Sequence, residues 1–216
     1  VMDRPALLVD TGVLSRTPAT QPKRRTARVE IDAAQPGAAR FHALVVDDGW
    51  TAELERTLFR RAPPERVRQL ANERLRQSGL RGRARISTGD RRATDGPFDV
   101  TYDGTLDHVV WPDGTTAVPA LSSITGGIAT QVEGWLAEPV RTQPWVCVGG
   151  TFDETGEIAL PAGVAVTDLP TDTAVHDRFV DFTSHYVFDA AAHVIQVTRR
   201  LTATFGRQVC TPEEFT

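Results

Sequence analysis

Apolar and polar positions alternate with a period of two along most of this chain, and that period predicts strands. Over residues 26–32, Ala27, Val29 and Ile31 fall on one face and Arg28 and Glu30 on the other. The alternation resumes over residues 40–46 after a turn at Gln35-Pro36-Gly37, so the two segments predict a hairpin. Ahead of them, residues 6–10 predict a short strand that ends at Thr11-Gly12. Residues 16–25, rich in Pro, Thr and Arg, read as an extended connector. Further strands are predicted at 84–88, 98–102, 106–111, 145–148, 157–160, 164–169, 179–188 and 194–204. Asp103-Gly104 and Pro112-Asp113-Gly114 carry turn chemistry between strands. In the last strand Ile195, Val197, Arg199 and Leu201 share a face, with Gln196, Thr198 and Arg200 opposite.

The period changes only in residues 50–78. Trp50, Leu54, Leu58 and Phe59 recur every three to four positions and predict a helix. Pro63-Pro64 interrupts and suits the first turn of a second helix, whose stripe is Val67, Leu70, Ala71 and Leu75 and whose C-cap is Gly79. The polar face of this region, dense in Arg, Glu and Gln, reads as solvated. No aromatic residues interleave with its arginines as an RNA-binding helix would require. Residues 119–144, punctuated by Gly126-Gly127, Pro139 and Pro144, read as short strands with irregular links around Ile128, Val132, Trp135 and Leu136. The pattern therefore predicts an α+β, mostly β protein, with antiparallel sandwich-like sheets and one short helical stretch. A composition break near 112–119 divides it into an α+β half, residues 1–115, and an all-β half, residues 116–216.

Composition narrows the function by exclusion. The formal net charge of −4 supplies no basic field for nucleic acid. Of 24 basic residues only Lys23 is a lysine. The longest apolar runs are a few residues, against the roughly 20 a spanning helix needs. The chain opens at Val1 without the basic-then-apolar layout of a signal peptide, and reads as a piece or mature product of a longer protein.

Candidate chemistry is sparse. Cys147 and Cys210 are the two cysteines; they pair in an exported protein or act as small apolar fillers in a cytosolic one. A Cys147 nucleophile would need a histidine base and an orienting group, and no helix N-terminus is predicted beside it. His185 and His193 could face each other across the last hairpin as half a metal site, although two solvated strand residues account for them as well. The paired carboxylates Asp47-Asp48, Asp153-Glu154 and Glu213-Glu214 read as turn and surface chemistry. Gly126-Gly127 and Gly149-Gly150 lack the glycines, lysine and helix of a phosphate loop, and no cofactor motif is present. Trp50, Trp111, Trp135 and Trp145 are the remaining candidates, as a binding surface for sugar or peptide or as core.

Taken together, several stretches resemble the C-terminal β-rich region of bacterial, exported, multidomain transglutaminase-like proteins of the papain-like superfamily, which also carry an N-terminal domain of unknown function. The residues that carry the likeness are Arg4 to Asp10, Pro97 to Tyr102 and Arg141 to Pro144. Ile158 to Gly163, Asp168-Leu169-Pro170, Val197 to Leu201 and Cys210 to Phe215 complete it. Each is a loose β pattern, and none matches the cysteine, histidine and aspartate motifs of the catalytic domain. The resemblance implies a non-catalytic accessory or interaction domain in the periplasm or cell envelope. Its first partner would be the upstream catalytic domain of the same parent, with an envelope protein or glycan as a further one. The alternative is an independent carbohydrate- or peptide-binding β module.

Overall fold

A computed structural model describes residues 5–16, 23–35, 38–77, 80–107, 109, 126–138, 140–147, 149–207 and 209–214. The mostly β, α+β character stands. Strands β3 (Lys23–Asp32), β4 (Ala39–Gly49), β5 (Gly82–Thr88), β6 (Phe98–Leu106), β8 (Gly150–Ala159), β9 (Thr173–His176), β10 (Val180–Asp189) and β11 (Val194–Ala203) form one sheet. Its order is β5-β6-β4-β3-β8-β11-β10-β9, so the large sheet is continuous and not split into two stacked layers. Every neighbouring pair in it is antiparallel except β3 and β8, which run parallel. That parallel pair joins the two expected halves edge to edge. The boundary expected between them lies outside the described residues.

The alternation seen in the sequence decides which sheet face is dry. Ala27, Val29 and Ile31 of β3 lie beside Val45, Ala43 and Phe41 of β4 and beside Glu154, Gly156 and Ile158 of β8. All the apolar members of this row are buried. Helices cover this face and leave the other to water. Helix α1 (Trp50–Arg61) and helix α2 (Pro64–Gln77) lie over β4, β5 and β6, with Phe59, Val67, Ala71 and Leu75 driven into the core. Burying each such side chain contributes about 1.5–3 kcal/mol. Helix α2 closes when the Leu80 N–H returns to the Leu75 carbonyl at 2.9 Å.

Four expectations need correction. Residues 119–144 do not hold only strands: Ile128–Leu136 is a third helix, α3, which packs Ile128 on Phe152 and Leu201. Ile128, Val132 and Trp135 are spaced four and three apart, a helical period that the flanking glycines and prolines masked. In α1 the buried stripe is Ala52, Arg56 and Phe59, while Trp50, Leu54 and Leu58 are 44%, 54% and 43% exposed. Asp103-Gly104 is not a turn; β6 runs through it. A Cβ on Gly104 would stand 2.0 Å from the Arg83 carbonyl oxygen and 2.8 Å from the Phe41 ring, so the glycine serves close strand approach. Finally, 164–169 is an irregular segment whose Val164, Val166 and Leu169 pack against the core from outside the sheet.

Three smaller features complete the chain. Strands β1 (Pro5–Leu8) and β2 (Val13–Arg16) make a separate hairpin turning at Gly12, φ 65°. Strands β7 (Trp145–Val146) and β12 (Val209–Cys210) pair in a two-stranded ribbon, and a 3-10 turn at Pro212–Glu214 follows. Pro36, Gly37, Gly79, Trp111, the turn at 112–114, Pro139 and Val148 lie outside the described residues.

Candidate functional site

The sheet carries charge on its covered face, at inward-pointing positions. Arg25 and Asp47 sit opposite each other on β3 and β4 and share a bidentate contact, Nε to Oδ1 and Nη2 to Oδ2, both at 2.8 Å. The Asp47 side chain is fully buried and that of Arg25 is 13% exposed. Burial opposes the Arg25 charge, but the Asp47 hydrogen bonds and the fields of Asp47 and Glu55 outweigh it and raise its proton affinity. Glu55 of α1 lies 3.5 Å from Arg25 and 3.2 Å from Arg74 of α2. Arg74 also donates to the Tyr102 hydroxyl, whose pKa burial pushes up.

A second group pins α3. Its first helical N–H groups have no side-chain cap within the helix, since Gly127 precedes Ile128. Glu154 of β8 substitutes by accepting from the Ile128 N–H at 2.6 Å, a favourable place for a carboxylate near the helix N-terminus. Its other oxygen lies 3.1 Å from Arg199 of β11. Burial raises the Glu154 pKa, with Arg199 and the Ile128 N–H pulling the other way. Arg25 reaches the Gly126 carbonyl at 3.5 Å, and Lys23 donates to Gln131 Oε1 at 2.6 Å. The Lys23 ammonium lies 4.8 Å from the centre of the Phe152 ring. Desolvation first and Arg25 second lower the Lys23 pKa to about 8.

The open face holds charges that are already matched. Arg40 donates to Asp32 at 2.9 Å, His42 meets Asp103 at 2.8 Å, and Arg28 pairs with Glu30 at 2.9 Å. An open groove of about 450 Å³ crosses this face between Glu30, Asp32, Arg40, His42, Asp103 and Glu157. The Arg40 hydrogen bond first, and the Ala34 N–H second, hold the Asp32 carboxyl below its ordinary value.

The residues singled out in the sequence divide among distinct places. Cys147 and Cys210 are joined in a disulfide with Cα atoms 5.7 Å apart, tying β7 to β12. Neither sulfur is then a free nucleophile. Trp135 and Trp145 both set their rings edge-on to Phe205, at 6.3 and 5.8 Å, and Arg141 stacks 4.5 Å from Trp145. Trp50 instead opens α1. His185 does not meet His193: it stands opposite Thr198 and bonds Asp172, while His193 takes a left-handed φ of 53° in the turn before β11. Among the described residues no cluster of three His, Cys, Asp or Glu side chains forms a metal site.

The structure corrects the sequence reading of these residues: Asp47 and Glu154, read as turn and surface carboxylates, are buried, Arg25 lies in β3 and not in a connector, and Glu55, Arg56 and Arg74 turn inward from a helical face read as solvated. Arg56 is fully buried, donating to Gly96 O at 2.9 Å and pairing with Glu53. The available signal was parity: positions 25 and 47 lie in step with the apolar rows 27–31 and 41–45. Among the described residues no helix is long and apolar enough to cross a membrane. No family model, curated protein or solved structure matches the chain.

Proposed function

We propose that this chain is a non-catalytic accessory and interaction domain of an exported transglutaminase-like protein, and that it docks on the upstream catalytic domain. One observation carries the reading: Trp50, Leu54 and Leu58 stand exposed along one side of α1, four residues apart. Residues at this spacing share a helix face, and a contiguous apolar stripe of this kind marks a protein contact. The disulfide supports it, because such bonds persist in oxidising compartments and because it takes both thiols out of cysteine chemistry. The test uses the parent protein, cleaved by protease ahead of residue 5. The two fragments co-elute, and Leu54→Glu separates them. A parent without an upstream Cys, His and Asp domain, or wild-type fragments that elute apart, overturns the reading.

The second reading, an independent sugar- or peptide-binding module, draws on the gathering of Trp135 and Trp145 around Phe205 with Arg141 stacked above. Oligosaccharide or peptide titration followed by tryptophan fluorescence distinguishes it, since only that reading expects a saturable change abolished by Trp145→Ala.

A further inference from the structure

The two edges of the large sheet are finished differently. At the β5 edge the outward Ala84 N–H is taken by the Asn72 side chain of α2 at 3.0 Å, and α2 packs along the strand. At the β9 edge all four residues, Thr173 to His176, are exposed. The ladder shows which backbone groups face out there. The Asp177 N–H bonds the Val180 carbonyl at 2.8 Å and the Tyr186 N–H bonds Asp172 at 3.0 Å, so the even-numbered residues of β10 face β9. Their partners are Val175, opposite Phe182, and Thr173, opposite Ser184. Ala174 and His176 therefore turn both N–H and C=O away from the sheet.

We infer that β9 pairs with β9 of a second copy of this chain, antiparallel, about a two-fold axis through Val175. Two features of the strand fit that partner. An antiparallel pairing centred on residue 175 places Ala174 opposite His176 and His176 opposite Ala174. The two outward residues of each copy then exchange all four of their backbone hydrogen bonds. Val175, 46% exposed, meets its own mate on the helix-covered side of the sheet, where its present neighbour is Phe182. With only four residues a side, the contact is below the roughly 1,000 Å² of a stable interface, so the dimer is concentration-dependent.

Sedimentation velocity on the whole chain over a range from micromolar to near-millimolar tests this. The wild type rises from the monomer mass toward twice that mass. Ala174→Pro removes one outward N–H per copy and no bond of the β9–β10 ladder, because proline is tolerated at an edge with its nitrogen toward solvent. Losing two intermolecular hydrogen bonds raises the dissociation constant about thirtyfold. Val175→Lys sets like charges across the axis and also shifts the curve toward monomer. Circular dichroism and thermal melting of both variants match the wild type. A wild type that stays monomeric over the whole range overturns the pairing, as do both variants dimerising as well as wild type. An edge that takes up an extended peptide of unrelated sequence while the chain remains monomeric also overturns it.

Discussion

Replacing Asp47 by Asn isolates the charge at the centre of the covered face. The substitution keeps the side-chain shape, turns one acceptor oxygen into a donor, and points it at a guanidinium that is itself all donor. Arg25 then loses a bidentate partner at 2.8 Å and keeps Glu55 and the Gly126 carbonyl, each at 3.5 Å. Stranding a buried charge in this way costs about 3–5 kcal/mol, and the remaining Glu55 contact reduces the loss to about 2–4 kcal/mol. For a chain of 216 residues, a loss of about 3 kcal/mol lowers the melting temperature by roughly 6–12 °C. Urea unfolding followed by circular dichroism measures it, with m unchanged and the midpoint shifted. The double variant Arg25→Met, Asp47→Leu removes both charges together and recovers to within about 1 kcal/mol of the wild type, because apolar isosteres of a buried pair are near neutral. An Asp47→Asn protein within about 0.5 kcal/mol of wild type would refute the reasoning. So would a double variant no more stable than the single one.

Three other outcomes follow from the structure. The Lys23 amine titrates near 8 in the folded chain and near its ordinary 10.5 when unfolded, so between those values the unfolded chain binds more protons. Stability therefore rises with pH from about 8 toward 10, and Lys23→Met removes that rise in a pH series of urea midpoints; a slope that survives the substitution assigns it to another group. Cys210→Ser opens a loop whose ends are 63 residues apart, and the loop-entropy relation gives a loss of about 4 kcal/mol, visible equally when the wild type is reduced. Gly104→Ala drives a Cβ against the Arg83 carbonyl and the Phe41 ring and costs about 3 kcal/mol in a thermal melt, with lost hydrogen-exchange protection concentrated on the pairing of β5 with β6.

The strands were legible because period two is a strong signal when one face is wet and the other dry. Residues 27, 29 and 31, and 195, 197 and 201, could be placed on the inner face from sequence alone, and Arg199 was correctly put among them. The same rule, followed one step outward, assigns Arg25 and Asp47 to the dry face. Instead Arg25 reads as part of a connector and Asp47-Asp48 as turn chemistry, because adjacent charges at the end of an apolar row carry the same local pattern as a turn. Helix α1 failed for a related reason. Its apolar residues Trp50, Leu54 and Leu58 make a better stripe than Ala52, Arg56 and Phe59, yet the sheet takes the second set. Arg56 is accepted inside because the carbonyls of 95–97 converge on its guanidinium, a long-range arrangement that no local pattern encodes. The disulfide was left open in the sequence because spacing does not fix geometry, and pairing Val209 with Val146 is what brings the cysteines together.

The position of the buried charges argues that the two halves fold as one unit. Strands β5, β6, β4 and β3 form one antiparallel block and β8, β11, β10 and β9 another, and the parallel pairing of β3 with β8 is the seam. Helices α1 and α2 cover the first block and α3 lies over the second. Two side chains cross between the blocks: Lys23 and Arg25 leave β3 for Gln131 and Gly126 at α3, and Arg25 also holds Asp47 and Glu55 of the first block. An apolar seam would leave the Ile128 N–H without an acceptor, since no side chain of α3 caps it. The charges thus make the second block's helix α3 depend on strand β3 of the first block. Unfolding should then be a single transition, reported alike by far-ultraviolet circular dichroism, by fluorescence of a variant retaining only Trp50, and by fluorescence of one retaining only Trp145. Midpoints for Trp50 and Trp145 that separate in the wild-type seam, and no further apart in Arg25→Met, would show that the blocks are independent and that the seam couples nothing.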